Sequence, residues 1–181
     1  MLESICIFGA AREEIEQSYK DEAYELSMLI AKANKKIVFG AGSTGIMGAV
    51  ARGAKDNGAY LIGVVPNHLN DSGLIYDKCD QLILTETLRE RKRIMDENAD
   101  AFIAMPGGVG TLEELMEIIT LKQLKRHEKP IIVLNVNGYY EALFKQIEIM
   151  INENFLICED IELYHVANSA KEAMDYLLGK D

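Results

Sequence analysis

Ala101-Phe-Ile-Ala-Met-Pro-Gly-Gly-Val-Gly-Thr-Leu-Glu-Glu-Leu-Met-Glu-Ile-Ile-Thr-Leu-Lys122 is the stretch on which the fold turns. A short unbroken apolar run, Ala101–Met105, meets a glycine-rich turn and then an amphipathic stretch, Leu112–Lys125. An apolar run without alternation is the mark of a strand buried on both faces, as in a parallel sheet. The same unit recurs along the chain. Apolar runs at Ser4–Phe8, Lys36–Phe39, Tyr60–Val65, Gln81–Leu84 and Pro130–Asn135 alternate with amphipathic stretches at Glu14–Asn34, Thr44–Asn57, Leu88–Glu97 and Tyr139–Asn154. A last strand near Ile161–Val166 and a helix over Ser169–Leu178 are expected to close the chain. Such alternation implies right-handed crossovers and an α/β fold. The expectation is a single-domain, Rossmann-like, doubly wound parallel sheet with helices on both faces, residues 1–181 forming one nucleotide-binding domain. Ligands of such sheets bind outside the carboxyl ends of the strands, so the residues just after each apolar run are the ones to inspect.

Composition narrows the function. The 181 residues carry 19 Lys and Arg against 29 Asp and Glu, a formal charge of −10. That balance argues against nucleic acid or an acidic membrane as partner, since both require a positive face. A small phosphorylated ligand needs only a few local cations and backbone N–H groups. No apolar run approaches the ~18 residues of a membrane span, and the opening MLESICIFGA lacks the basic region of a secretory signal. Cys6, Cys79 and Cys158 are odd in number and widely separated, which fits a reducing cytoplasm rather than a disulfide framework or zinc site. His68, His127 and His165 are scattered, so no metal centre and no cofactor is expected.

Three places invite chemistry. Gly107, Gly108 and Gly110, followed by Thr111, bring free N–H groups and a helix dipole to one point, which suits a phosphate. No Gly-Lys-Ser/Thr follows, so this is not a Walker loop. Thr111-x-x-Glu114 is equally a capping box on a plain tight turn. Gly40-x-Gly42-x-x-Gly45 matches the dinucleotide fingerprint, yet the next strand ends Gly63-Val-Val-Pro-Asn67 without the carboxylate that a ribose would need. It reads either as the opposite wall of a mononucleotide pocket, through Gly42, Ser43, Gly45 and Met47, or as close helix packing. In Leu88-Arg-Glu-Arg-Lys-Arg-Ile-Met95, four cations fall within five positions. Helical spacing turns Arg91 and Lys92 toward the apolar side with Leu88 and Met95; a solvated stripe of i,i+4 ion pairs is the competing account. Glycine turns, an arginine and a carboxylate on one rim suggest a nucleoside monophosphate whose ribose lies near Glu114. Carboxylates beside a ribose stabilise an oxocarbenium-like transition state, so cleavage at the N-glycosidic carbon is chemically sensible.

Pro106-Gly-Gly-Val-Gly-Thr-Leu-Glu-Glu114, with Arg91-Lys92 upstream, resembles the Lonely Guy family of cytokinin riboside 5′-monophosphate phosphoribohydrolases, often labelled lysine decarboxylases. The resemblance extends to Cys6-Ile-Phe8, Gly40-x-Gly42-x-x-Gly-Ile-Met-Gly48, Ile62-Gly-Val-Val-Pro66, Glu90-Arg-Lys92, Ile118-Ile-Thr120, Lys129-Pro130 and Asn135-x-x-Gly-Tyr-Tyr140. It implies metal-free hydrolysis of a nucleoside 5′-monophosphate to free base and ribose 5-phosphate, with Arg91 and Glu114 as the catalytic pair. It also implies that Gly107, Gly108, Val109, Gly110 and Thr111 hold the phosphate, that Glu113, Lys92 and Thr120 line the pocket, and that the protein is a homodimer or larger homo-oligomer. The apolar faces of Glu14–Asn34 and Leu112–Lys125 could serve such an assembly. The chain departs from the family pattern at Gly9-Ala-Ala-Arg12, where Cys-Gly-Ser-Ser is usual. It also departs at Leu88-Arg89 for Met-His, at Leu121 for Trp, and at Gly73, near Asp71, for a Glu. The first, which loses two hydroxyls and gains a cation, bears on the phosphate contacts; the last two bear on the base pocket, so AMP or another purine monophosphate stands beside an N6-modified one. Two other classes compete: a non-catalytic nucleotide-binding module, and a pyridoxal-phosphate decarboxylase, for which only Lys92 lies near a strand end.

Overall fold

Each apolar run becomes a strand because both of its faces are covered. The computed structural model describes residues 2–70, 73–156 and 162–180. The strands are β1 (Ser4–Phe8), β2 (Lys36–Phe39), β3 (Leu61–Pro66), β4 (Gln81–Thr85), β5 (Ala101–Ala104), β6 (Ile131–Leu134) and β7 (His165–Ala167). They form one sheet in the order β4-β3-β2-β1-β5-β6-β7, with every pair parallel. The helices are α1 (Gln17–Lys32), α2 (Gly45–Asp56), α3 (Asn67–Asn70), α4 (Leu88–Glu97), α5 (Val109–Gln123), α6 (Glu141–Asn152) and α7 (Ala170–Leu177).

Alternation along β1 shows how the two cores are built. Ile5 and Ile7 enter a cluster with Leu26 and Ile30 of α1, Val50 of α2 and Met174 of α7. Cys6 and Phe8 enter the opposite cluster, with Met95 of α4 and Leu115 and Ile118 of α5. Each fully buried Ile or Leu contributes about 1.5–3 kcal/mol through apolar area removed from water. The winding reverses between β1 and β5, where Phe8 pairs with Ala104. That reversal is the topological switch point of a doubly wound sheet, and the crevice beyond it is the expected ligand site.

Four readings change. The stretch taken as beginning at Glu14 is helical only from Gln17, with Glu16 at its N-cap. The short helix α3, absent from the sequence reading, follows Pro66. The last strand runs later than expected; Ile161 lies outside the described residues. Finally, the apolar face of α1 is not open to an oligomer: Ala23, Leu26 and Ile30 are fully buried. The face of α5 bearing Leu115, Ile118 and Ile119 is buried as well. Among the described residues no helix is long and apolar enough to cross a membrane, and no group of three or more His, Cys, Asp or Glu could hold a metal ion.

Candidate active site

The arginine side of the site is set by the start of α4. Thr87 is the N-cap and its hydroxyl accepts from the Glu90 N–H at 3.1 Å, while the Glu90 carboxylate accepts from the Glu86 N–H at 2.8 Å. With the helix begun there, Arg91 and Lys92 turn inward, their side chains only 17% and 15% exposed. Arg93 turns outward and pairs with Glu97 at 2.6 Å, so the surface stripe exists but does not include its two neighbours. The Arg91 guanidinium donates from Nε to the Val64 carbonyl at 3.0 Å and from Nη1 to Glu114 Oε1 at 2.8 Å. Glu114 is 11% exposed in its side chain. Burial pushes its carboxyl above the usual range, and the neighbouring Arg91 charge opposes that rise. Lys92 lies between Glu113 and Glu117. Burial lowers its proton affinity, but the two carboxylates outweigh that and hold it above the ordinary value.

The carboxylate side is set by an early helix start. Thr111 is not the N-cap: α5 begins at Val109, Gly108 occupies the cap position, and no side chain caps the helix. The capping-box reading therefore fails, because Glu114 is joined to Arg91 instead of turning back to the Thr111 N–H. Thr111 is buried, its hydroxyl packed where a Cβ on Gly107 would come within 2.0 Å. The first helical donor is Leu112 N–H, to the Gly108 carbonyl at 3.0 Å, so the N–H groups of Val109, Gly110 and Thr111 have no acceptor within the helix. Two tyrosines hold the loop from behind. Tyr139 donates to the Gly107 carbonyl and Tyr140 to the Met105 carbonyl, each at 2.7 Å. Asn135 fixes their turn, its Oδ1 accepting from the Tyr140 N–H at 2.8 Å.

The second glycine turn is arranged differently. Gly45 has a left-handed φ of 60°, and the start of α2 already holds an anion, since its N–H donates to Glu13 at 2.9 Å. The Ser43 hydroxyl and N–H both donate to the Leu74 carbonyl, at 2.8 and 2.9 Å. Gly42 and Met47 remain as walls.

A cavity of about 250 Å³ opens at the switch point, close to the low end of small-molecule sites. Arg91 and Glu114 line it together with Phe8, Gly40, Gly42, Met47, Leu69, Leu74, Ile75 and Leu88. A smaller cavity of about 120 Å³ lies on the other side of Glu114, against Lys92, Glu117, Phe102, Ile118 and Leu121. Arg91, Glu114, Gly42 and Met47 are thus brought together, with Lys92 and Glu113 adjoining. The Gly107–Thr111 loop sits one turn before Glu114 and does not line the larger cavity. Thr120 is exposed, donates within its helix to the Met116 carbonyl at 2.7 Å, and lines neither cavity. Among the departures, Arg12 is exposed and pairs with Glu14 at 3.5 Å. Gly73 has a φ of 71° with open space around it, and Asp71 lies outside the described residues. Sequence reasoning missed the roles of Tyr139, Tyr140 and Glu13. The Asn135-x-x-Gly-Tyr-Tyr140 string was visible, but nothing in it names an acceptor more than 30 residues away.

A family model described as "Possible lysine decarboxylase" matches residues 47–177. Cytokinin riboside 5′-monophosphate phosphoribohydrolase LOG3 of Arabidopsis thaliana is 38% identical over 173 residues, 96% of this chain and 80% of the relative. The probable phosphoribohydrolase LOGL3 of Oryza sativa subsp. japonica is 37% identical over 172 residues, 95% of this chain and 82% of its own. Among solved structures, the Moco carrier protein of Chlamydomonas reinhardtii superposes with a TM-score of 0.75 at 26% identity over 100% of both chains. The molybdenum cofactor binding protein of Rippkaea orientalis gives 0.75 at 23%, covering 99% of this chain and 98% of that one; it speaks for the fold alone. With relatives this similar over nearly its whole length, the chain belongs to the family of the cytokinin riboside 5′-monophosphate phosphoribohydrolases.

Proposed function

We propose that the chain is a hydrolase that cleaves the N-glycosidic bond of a purine nucleoside 5′-monophosphate, with or without an N6 substituent, to free base and ribose 5-phosphate. The observation that carries this reading is the Arg91–Glu114 pair on the wall of the switch-point cavity; the names of the relatives agree with it. Arg91 opposes the rise that burial imposes on Glu114 and so favours its carboxylate form. A carboxylate there faces the positive charge that grows on the ribose as the C1′–N bond breaks, and it accepts a proton as water adds to C1′. Glu114 then passes that proton to the departing base, while the other hydrogen of the water stays on the new C1′ hydroxyl, so the carboxylate is regenerated. The open start of α5, Gly108 to Thr111, receives the 5′-phosphate through N–H groups and the helix dipole. Lys92 and Glu113 support the pocket from the side, and Thr120 stands further along the same helix. Gly42 and Met47 form the opposite wall, with Ser43 and Gly45 shaping the turn behind them through Leu74 and Glu13.

We take the working form to be a cytoplasmic homodimer or larger homo-oligomer, without a nucleic-acid or membrane partner. Ile149, Ile151 and Phe155 are exposed apolar side chains at or just beyond the end of α6, which an assembly would cover. Sedimentation at micromolar concentration tests this, and a monomer refutes it.

The activity is tested by incubating the protein with AMP and with isopentenyladenosine monophosphate and identifying the products. Free base and ribose 5-phosphate are expected, and Glu114→Ala abolishes them. Saturable, heat-stabilising binding with no base from any nucleotide in a panel favours a binding module instead. That second reading draws on the Moco carrier neighbour at 26% identity. Pyridoxal-phosphate decarboxylation fits the residues poorly. It needs a lysine free to form a Schiff base, whereas Lys92 is held as an ammonium between Glu113 and Glu117.

A further inference from the structure

Arg91 is clamped on two of its edges, and the third side of the clamp is a glycine. Its Nε is bound to the Val64 carbonyl and its Nη1 to Glu114. The guanidinium lies against Gly40, the first residue after β2. A Cβ built on Gly40 would fall 2.1 Å from Arg91 Nη2 and 3.3 Å from Cζ, with Nε next at 3.9 Å. All three nearest atoms belong to this one side chain. The other glycines of the string differ. A Cβ on Gly42 meets Met47 and Ala11 at 3.0 and 3.3 Å, while Gly45 requires a left-handed backbone. Gly40 has no positive φ, so alanine fits its backbone and the collision is with the guanidinium alone. The glycine beside Arg91 and the carbonyl that its Nε binds come from the ends of neighbouring strands, since Phe39 pairs with Gly63 next to Val64.

We propose that Gly40 is a positioning residue for Arg91: its bare Cα leaves the room for the Nη2 edge that lets the guanidinium reach both Val64 and Glu114. The inference rests on the proposed role of Arg91 in hydrolysis. It assigns the first glycine of Gly40-x-Gly42-x-x-Gly45 to the arginine and not to a phosphate. A methyl group there is accommodated by displacing the flexible end of Arg91, and a misplacement of about 1 Å at a reacting centre costs on the order of 100-fold in rate.

The experiment is a double-mutant cycle with AMP as substrate. Gly40→Ala lowers kcat about 100-fold and leaves KM within about 3-fold, the phosphate being held elsewhere. It also moves the acid limb of the rate profile to higher pH, because the displaced guanidinium no longer offsets the burial of Glu114. Lys92, Glu113 and the buried Cys6 thiol, the other groups acting with Glu114, are unchanged. On an Arg91→Lys background, where no Nη2 edge remains, Gly40→Ala changes kcat by less than about 2-fold. If Arg91→Lys releases no base, the same non-additivity is expected in urea midpoints. If Gly40→Ala alone fails to fold, the double variant folds. Equal losses on both backgrounds, a parent-like rate and profile for Gly40→Ala, or failure of the double variant to fold overturns the inference. Undiminished base release by both Arg91→Ala and Glu114→Ala would instead overturn the proposed hydrolysis, so the two failures are distinguishable.

Discussion

Replacing Tyr140 by Phe separates the hydroxyl that holds the glycine loop from the ring that fills the core. Tyr140 is 2% exposed, and its hydroxyl donates to the Met105 carbonyl at 2.7 Å. Burial pushes the phenol well above its ordinary value, so it stays a donor at every workable pH. Phe keeps the contacts with Phe144 and the second core but leaves a buried carbonyl that water cannot reach without opening the structure. An orphaned buried acceptor costs about 1–3 kcal/mol. At this chain length each 1 kcal/mol is worth about 2–4 °C, so the melting temperature should fall by about 2–12 °C. Tyr139→Phe is the internal comparison. It removes a bond of equal length, to the Gly107 carbonyl, from a residue 45% exposed. Water replaces that bond, and the stability loss stays below about 1 kcal/mol. Its effect should fall on KM for the monophosphate, because the loop it steadies lies at the open start of α5. Urea titrations give the stability order and initial rates with AMP give the KM. A Tyr140→Phe variant within about 0.5 kcal/mol of the parent, or a Tyr139→Phe variant less stable than Tyr140→Phe, refutes the reasoning.

Because burial raises the Glu114 carboxyl, the acid limb of kcat/KM should lie above the ordinary carboxylate range, and Arg91→Met should move it further up; a limb in the ordinary range counts against Glu114 as the titrating group. His127 is held neutral by burial, with its ring bound to the Ile118 carbonyl at 2.9 Å and to the Lys129 N–H at 3.2 Å. Its folded pKa lies below the unfolded one, so its contribution is complete above about pH 6.5 and is lost as the pH falls below that. The melting temperature of His127→Leu should therefore fall less between pH 7 and 5 than that of the parent, and an equal fall places the titration elsewhere. Asp100 accepts from the Glu3 and Ser4 N–H groups at 2.8 and 3.0 Å. Burial alone would raise its pKa, but these bonds depress it, so its contribution is present above the unfolded value and is lost as pH falls through the folded one. Asp100→Asn should be less stable than the parent at pH 7 and converge with it as the pH falls below the ordinary carboxylate range, as chemical denaturation would show.

Strand and helix identity was legible because burial on two faces writes an unbroken apolar run, and Ile5, Cys6, Ile7 and Phe8 divide between the two cores as such a run requires. The inward turn of Arg91 and Lys92 was legible from helical spacing beside Met95. What stayed hidden depends on atoms distant in sequence. The Val64 carbonyl, the Tyr139 hydroxyl and the Glu13 carboxylate are ordinary residues until the fold brings them to Arg91, Gly107 and Gly45. The Gly40-x-Gly42-x-x-Gly45 string shows the limit clearly. Sequence marks three places for a bare backbone without saying that one lies against an arginine, one beside a methionine, and one in a left-handed turn.

The pattern Ser/Thr-x-x-Glu occurs at Thr87–Glu90, Thr111–Glu114 and Ser169–Glu172, and its three fates separate structure from chemistry. At Thr87 and Ser169 the hydroxyl accepts from the N–H of the glutamate three residues on, and the glutamate turns back to the residue just before the cap. At Thr111 the local rule is broken. Burying that threonine over Gly107 moves the helix start back to Gly108, so neither partner of the pattern is where a cap needs it. The N–H groups then stay open and the carboxylate is delivered to Arg91. A chain of net charge −10 could be expected to close such a positive end with one of its own acids, as Glu13 does at α2. At α5 the two acids of the following turn are engaged by cations, Glu113 by Lys92 and Glu114 by Arg91. The cluster in α4 thus shapes the charge of the site twice. It supplies one member of the proposed catalytic pair, and it engages the nearby carboxylates of α5, which leaves the uncapped helix start open for the proposed phosphate.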